Sequence, residues 1–509
     1  MAFELYDYQD RSLAQVREAY SQKHRRIMLQ LPTGAGKTVV AAAMTGTARR
    51  KNKKVLFTVP FIELVDQTIE RFAEDGITDI GVIQGKNRLE DWDQPIQIAS
   101  VQTLMKRWPN LPEYDVAIVD EAHRWYKFYE KWMEADEYLD RPIIGLSATP
   151  WSKGLGRWYS KLIRPVSMQD LIDAGRLSPF RVFAPTHPDL KDVKISCGDY
   201  HEGELSEYMR KPDLIGDVVQ TWEDSAQDRQ TLVFAVDSAH ARVLTQQFLD
   251  KGIPTARVYS DCDGHHQDAG ERREIRAAFA AGSIKVVVNV GVLTHGVDWD
   301  VRCLQIARPT KSEILHVQII GRALRTAPGK DYALLLDHSD NHLRLGFVTD
   351  IHHEQLSDGR QATQKEAKAA LPPPLTPKEC VKCKVLKPPR TPKCPVCGYI
   401  NQVLCTIRTA EGTLKEISEG EFEAIRKRMQ QERKQTGLLD TEYPRMVYAQ
   451  LRWVCRERGY KPGWSSNKHR EKYGEWPPRA WNSDPLFEPT RGLMKWLNAS
   501  QFRFVKGYH

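Results

Sequence analysis

The eight residues from Leu31 to Thr38 read LPTGAGKT, and they limit what this chain can become more than any other segment. An apolar run, Ile27-Met28-Leu29, precedes them, and a segment of small residues, Val39 to Thr45, follows. The spacing predicts a strand, a tight loop and a helix. Gly34 and Gly36 let the loop curl, so that backbone N–H groups of Thr33, Gly34, Ala35 and Gly36 turn toward a polyphosphate. Lys37 can reach the β- and γ-phosphates, and the Thr38 hydroxyl can hold Mg²⁺. The helix N-terminus adds its positive dipole end at the same place. One position departs from the G-x-x-x-x-G-K-T pattern, because Leu31 stands where its first glycine would be.

At 509 residues the chain exceeds one hydrophobic core, and two to four domains are expected. A hydrophobic content of 41% with 28% charged residues fits a globular protein. No run of about 18 apolar residues occurs, so no membrane span is expected. The first residues, MAFELYDYQD, lack a signal-peptide pattern, and a cytoplasmic location is expected. Nine cysteines are too few for a disulfide scaffold. The net charge of +8 equals the excess between Arg445 and His509, so the surplus is concentrated there and suggests a polyanion partner.

Four further apolar runs follow the loop, at Val55–Val59, Ile96–Ala99, Val116–Val119 and Ile143–Leu146. Polar, helix-like segments separate them, which argues for a parallel sheet covered by helices. The third run ends in Asp120-Glu121-Ala122-His123. Ligands in such sheets lie beyond the carboxyl ends of the strands. Asp120 then suits Mg²⁺, Glu121 can take a proton from the attacking water, and His123 could link this site to the next motif. The fourth run ends in Ser147-Ala148-Thr149-Pro150, whose hydroxyls could bridge the carboxylates and a neighbouring domain. Gln9 lies upstream, in a short segment before a helix expected from Arg11 to Tyr20; its amide can both donate to and accept from adenine.

LPTGAGKT, VDEAH and SATP, in this order, resemble motifs I, II and III of the superfamily 2 DEAD/DEAH-box helicases. The resemblance implies nucleic-acid contacts near Thr58-Val59-Pro60 and at Gln102-Thr103. A second strand–helix series, at Thr231–Val236, Arg257–Ser260, Lys285–Val290, Cys303–Ala307 and Tyr332–Asp337, has no phosphate loop and suits a partner domain that closes over the first. Within it, Val290 to Asp298 resembles motif V, which implies that Thr294 touches the nucleic-acid backbone and that Gly296 and Asp298 face the nucleotide. Gln318 to Arg325 resembles motif VI. Arg322 and Arg325 are three apart, which on a helix puts them on one face, and their planar forks suit phosphate oxygens. Gln318 flanks them. The segment Leu336 to Asn341, with Leu343 and Gly346, resembles bacterial RadD-type DNA repair helicases and their phage relatives.

Beyond about residue 350 the chain turns polar and then proline-rich (Pro372-Pro373-Pro374), as a linker would. Cys380-x-x-Cys383 and Cys394-x-x-Cys397 are separated by ten residues, a spacing that suits four thiolates around one structural Zn²⁺; a pair of redox dithiols is the alternative. Cys405 falls outside the pattern, and Glu416 to Gln435 reads as a charged helix. From Tyr443 onward five tryptophans (453, 464, 476, 481 and 496) are interleaved with Arg452, Arg456, Arg458, Lys461, Lys468, Arg470 and Lys472. Aromatic rings stack on bases while cations follow phosphates. Arg452 and Trp464 are the nucleic-acid contacts expected here, although these tryptophans could equally form a small core.

The expectation is therefore an α/β protein with two tandem RecA-like parallel-sheet domains, a small zinc module and a basic C-terminal domain. Its parts are residues 1–165, 166–348, a linker at 349–375, the four-cysteine module at 376–405 and the Trp-rich region at 406–509. The expected activity is an ATP- and Mg²⁺-dependent DNA helicase or translocase in repair, recombination or fork remodelling. A translocase without strand separation, an RNA helicase and an ATP-switched nucleic-acid-binding adaptor are the alternatives. Expected partners are single-stranded, forked or branched DNA, with RNA as a second choice, and replication or recombination proteins such as single-strand-binding protein. A monomer is expected.

Overall fold

The computed structural model describes residues 5–85, 87–184, 187–196, 198–226, 229–262, 265–294, 299–359, 376–389, 391–400, 439–461, 463–473, 475–489, 493–494 and 497. The chain forms two compact units, Met1–Val403 and Leu404–His509. Among the described residues no helix is long and apolar enough to cross a membrane.

Two all-parallel sheets organise the first unit. The first contains seven strands, β1 (Arg26–Gln30), β2 (Val55–Val59), β3 (Ile80–Ile83), β4 (Ile96–Ser100), β5 (Val116–Val119), β6 (Ile143–Ser147) and β7 (Lys161–Ile163). Their order is β3-β4-β2-β5-β6-β1-β7. Helix α1 (Asp7–Ser21) precedes β1, and α2 (Lys37–Arg50) follows it. The interior strands are near-continuous apolar runs because both faces are covered by helices. Val40, Ala41 and Ala42 are buried on α2, where small side chains let the helix lie close to the sheet.

The second sheet has six strands. In spatial order they are Thr255–Val258, Val286–Asn289, Thr231–Phe234, Cys303–Ile306, Ala333–Asp337 and β8 (Phe180–Phe183). The helix Glu313–Ala323 lies between the fourth and fifth of these. Together the sheets form the tandem parallel α/β architecture expected from the sequence.

Several local expectations change. Tyr8 and Gln9 lie in the first turn of α1, which starts at Asp7 rather than Arg11, because the Tyr6 N–H and the Gln9 side chain form a reciprocal cap. The strand expected at Arg257–Ser260 occupies Thr255–Val258, in register with Val286–Asn289. Strands β3, β7 and β8 were not anticipated. Arg322 and Arg325 do not share a helical face. The helix ends at Ala323, and Arg325 lies in extended backbone bridged to Leu177.

At the start of the stretch read as linker, residues 351–359 lie against the first sheet's domain. The Ser357 carbonyl accepts from Gly156 N–H at 2.8 Å, and the Asp358 carbonyl accepts from Arg157 Nε. Glu354 pairs with Arg164, and His353 packs on Trp151 while its ring nitrogen lies 2.8 Å from Glu313 of helix 313–323. The four-cysteine module then packs against β8, through Leu386–Lys387 and through Phe183 beside Cys380, Val385 and Cys394. Cys405 and the helix expected at Glu416 to Gln435 lie outside the described residues.

The second unit is built from helices Leu439–Glu457 and Gly463–Tyr473 and a short 3₁₀ turn, Arg479–Ser483. Val447, Leu451, Val454, Leu493 and Leu497 form its core, with Trp453 and Trp464 packed on it.

Candidate active site

The phosphate loop runs off the carboxyl end of β1. Leu31 N–H donates to the Ser147 carbonyl at 3.0 Å, so the loop starts alongside the end of β6. Gly34 and Gly36 both hold left-handed φ values, +87° and +76°. A Cβ at Gly36 would stand 2.7 Å from Gln9 Nε2, and one at Gly34 would stand 2.7 Å from the Leu177 side chain. Only glycine fits either place. Ala35 is tied from the other side, since Tyr8 Oη and Gln9 Nε2 both donate to its carbonyl, at 3.0 and 3.2 Å. Beside Gln9 a cavity of about 460 Å³ is lined by Tyr6, Tyr8, Arg11, Asp170 and Arg176, with the Arg176 guanidinium 3.7 Å from the centre of the Tyr6 ring.

The strands β5, β6 and β1 are neighbours, and their carboxyl ends bring VDEAH, SATP and the loop together. Lys37 Nζ donates to Glu121 Oε1 at 2.7 Å. Glu121 has a left-handed φ of +46°, unusual for a residue with a long side chain and typical of strain held at functional sites. Asp120 accepts the Glu121 N–H at 2.9 Å. Both carboxylates are deeply placed, and they respond in opposite ways. Burial, then the adjacent Glu121 charge, pushes Asp120 up to about 6. Burial also raises Glu121, but Lys37 and then His123 outweigh it and hold the carboxyl well below its ordinary range.

One ammonium thus serves two partly buried carboxylates, and the surplus negative charge suits a divalent cation. The hydroxyl of Thr38, one residue after Lys37, completes a hard oxygen donor set with Asp120, so these residues fit Mg²⁺.

His123 connects this pair to the second sheet's domain. Its Nδ1 lies 2.9 Å from Ser147 Oγ and 3.3 Å from the Glu121 carboxylate. On the other side of the ring, Gln318 Nε2 lies 3.0 Å from His123 Nε2 and 3.4 Å from Thr149 Oγ1. An amide N–H can only donate there, so Nε2 accepts and the ring proton sits on Nδ1. Ser147 Oγ also accepts the Thr149 N–H at 3.0 Å. The carboxylate, the histidine, both hydroxyls and Gln318 form one buried network across the two domains. The cleft beside it encloses about 390 Å³ between His123, Arg124 and Ser152 on one side and Arg308, Ser312 and Gln318 on the other.

Helix 313–323 approaches the phosphate loop directly. A Cβ on Gly321 would stand 2.7 Å from Thr33 Cβ. Arg322 is buried next to this contact. Just past the helix end, the Arg325 carbonyl accepts from Lys330 Nζ at 2.7 Å and from Ser178 Oγ at 3.1 Å. Lys330 also donates to the Ala323 carbonyl at 2.6 Å and so caps the helix, while burial pulls its ammonium down to about 8. Sequence reasoning missed Lys330, Leu177 and Arg176, whose roles are set by contacts far apart in the chain.

Of the other anticipated residues, Thr103 Oγ1 accepts the Gly85 N–H at 3.1 Å and contacts Ser100. Gly296 and Asp298 lie outside the described residues, as does the side chain of Thr294. In the second unit Arg452 donates to the Trp481 and Asp484 carbonyls at 3.0 and 2.9 Å, and Trp464 packs on Tyr460 and the core. Both are therefore engaged within that unit's own packing.

The four cysteines converge. Their sulfurs all lie within 4.8 Å of one another, with Cys380–Cys397 at 3.6 Å and Cys383–Cys394 at 3.7 Å. Four sulfurs at about 2.3 Å from a tetrahedral Zn²⁺ would be separated by roughly 3.8 Å. Each knuckle turns through a left-handed residue after its second cysteine, Lys384 at φ +61° and Gly398 at +71°. The four are free thiols, not disulfides.

Comparison with known proteins finds two family matches within the first unit. Residues 2–152 match the family described as "Type III restriction enzyme, res subunit", and residues 210–327 match "Helicase conserved C-terminal domain". A Saccharomyces cerevisiae protein named as an ATP-dependent helicase, IRC3, is 30% identical over 361 residues, covering 65% of this chain and 51% of that protein. The chain thus spans about half the length of this relative. The "DNA 3'-5' translocase XPB2" of Sulfurisphaera tokodaii is 26% identical, covering 63% of this chain and 79% of that protein. The fold is shared with a fragment of an HsdR subunit of a type I restriction enzyme from Vibrio vulnificus, at a TM-score of 0.53 and 21% identity, covering 69% of this chain and 66% of that one.

Proposed function

We propose, for a chain that belongs to the superfamily 2 helicases, that it couples ATP hydrolysis to movement along DNA. One observation carries the reading. The Gln318 amide from the second domain closes a network that runs through His123 to Glu121 and Lys37. A change at the phosphates therefore alters a contact between the domains, as a motor requires.

The residues divide the work. The Lys37 ammonium, held on Glu121, is the cation that an incoming triphosphate competes for. Once Lys37 turns to the phosphates, Glu121 is left ionised beside His123 and can accept the proton of the attacking water. Mg²⁺, which Thr38 and Asp120 would hold, supplies charge neutralisation at the phosphate oxygens. Arg322 and Arg325 would act from the second domain, where guanidinium groups can stabilise charge on the transferred phosphoryl group. Gln9 and the cavity beside it suit the adenine. The four thiolates suit a structural Zn²⁺ that rigidifies the module against β8.

The relative named a DNA translocase supports DNA over RNA. Its name also favours a second reading, translocation without strand separation, and a role at repair or recombination intermediates belongs to this proposal. The deciding experiment is steady-state ATP hydrolysis with no nucleic acid, single-stranded DNA, forked DNA and RNA at one salt concentration. Strong stimulation by DNA alone is expected. Stimulation by RNA alone would overturn the DNA reading, and none by any of them would overturn the motor. Displacement of a labelled strand separates unwinding from translocation.

A further inference from the structure

Among the described tryptophans of the second unit, three are built into its packing. Trp453 and Trp464 lie on the core, and Trp481 contacts the rings of Tyr448 and His469. Trp476 differs. It is 55% exposed. One face carries a cation, with the Arg470 guanidinium 4.9 Å from the ring centre.

Its setting is rigid. His469 Nδ1 lies 3.1 Å from the Glu475 carbonyl, which fixes the chain just before the tryptophan. Pro477 and Pro478 follow it and restrict the backbone on the other side. The anchor and the cation are adjacent residues of helix 463–473. The ring is thus presented in a fixed pose at little conformational cost. The charge of this region of the sequence favours a polyanion. Residues 445–509 contain thirteen lysines and arginines against five acidic residues.

We propose that Trp476, backed by Arg470, is a stacking platform for a base of a single-stranded nucleic acid, with the surrounding cations on its phosphates. The guanidinium on one face leaves the other face for the base. This assigns base contact to Trp476 rather than to Trp464, and it deepens the motor reading while resting on it only for the identity of the ligand.

The test uses the full chain and three fluorescent strands of equal length, oligo-dT, oligo-rU and an abasic DNA strand, at one salt concentration. Trp476→Ala should bind oligo-dT and oligo-rU about tenfold more weakly, in line with the loss of one stacked base. Its affinity for the abasic strand should not change, because phosphate contacts remain. Trp476→Phe should recover most of the loss. Equal binding of both oligo-dT and oligo-rU by the parent and Trp476→Ala overturns the platform, and so does an equal loss on the abasic strand. A loss confined to oligo-dT or to oligo-rU keeps the platform and names the natural strand. Unstimulated ATP turnover should match the parent in each variant. If the parent binds strands through Trp476 but no strand stimulates turnover, the motor reading fails while the platform stands.

Discussion

Gln318 is the residue on which the proposed coupling turns. It is buried, it reaches both His123 and Thr149, and its partners lie about 170 and 195 positions earlier in the chain. Gln318→Ala leaves the loop, Lys37 and Glu121 in place but strips His123 Nε2 of its donor. An unsatisfied buried polar group costs about 1–3 kcal/mol, and here the cost falls on the closed, reacting arrangement. Stimulated kcat should drop by about 5- to 100-fold, with the KM for ATP changed by less than about threefold. Unchanged stimulation would mean that this contact does not carry the signal. At this scale the sequence was legible where chemistry is local. LPTGAGKT, VDEAH and the paired cysteines state their ligands through short spacings. The left-handed turn at Glu121 was not legible, because no residue type signals it. Nor was Arg176 on Tyr6, which joins residues 170 positions apart.

Between elements the decisive contact is helix 313–323 against the phosphate loop. Gly321 is there for closeness, since an added methyl would press on Thr33 Cβ, Cγ2 and Oγ1 at 2.7, 2.9 and 3.0 Å. Alanine is also the better helix former by about 1 kcal/mol. Gly321→Ala should therefore leave the helix and the melting temperature intact while holding the domains slightly apart. Because misplacement by about 1 Å can cost on the order of 10²-fold in rate, stimulated turnover should fall by 10- to 100-fold while ATP still binds. A variant with parental kcat would show that the domains can close without this contact. The strap at residues 351–359 joins the same two domains, since His353 touches Trp151 of one domain and Glu313 of the other. The polar composition of that stretch reads as a linker because its holding contacts are two backbone carbonyls and single polar side chains whose partners lie far away in the chain, which composition does not reveal. Strand β8 escaped for a related reason. Phe-Arg-Val-Phe is too short to show a period, and its partner Ala333–Asp337 lies about 150 residues away.

Across the whole first unit, acid acts unevenly on the two domains. His240, His316 and His338 are buried in the second, and burial pulls them down to about 4, 3 and 4. Two of them accept rather than donate. Val236 N–H donates to His240 Nδ1 at 3.2 Å, and Gln305 Nε2 lies 3.3 Å from His338 Nε2. Protonation removes these acceptors as well as burying a charge. The unfolded chain takes up protons near pH 6.5, whereas these folded histidines wait until about pH 4 or below. Stability therefore falls as the pH drops through 6.5, by on the order of 1 kcal/mol per histidine at pH 5.5. In the first domain Asp120 acts with the opposite sign, since its raised affinity for a proton favours the folded state between about pH 6 and 4. Asp337, held low against burial by His342, loses its contribution only below the ordinary aspartate range near pH 4. The net expectation is a second domain weakened by a few kcal/mol between pH 8 and pH 5.5, beside a first domain that Asp120 slightly stabilises. Calorimetric melts at the two pH values should show one transition move down or separate from the other. His240→Asn, which keeps an acceptor but cannot take the proton, should shrink that shift by about a third. Two transitions that move together, or a shift untouched by the substitution, would show that other groups govern the acid response.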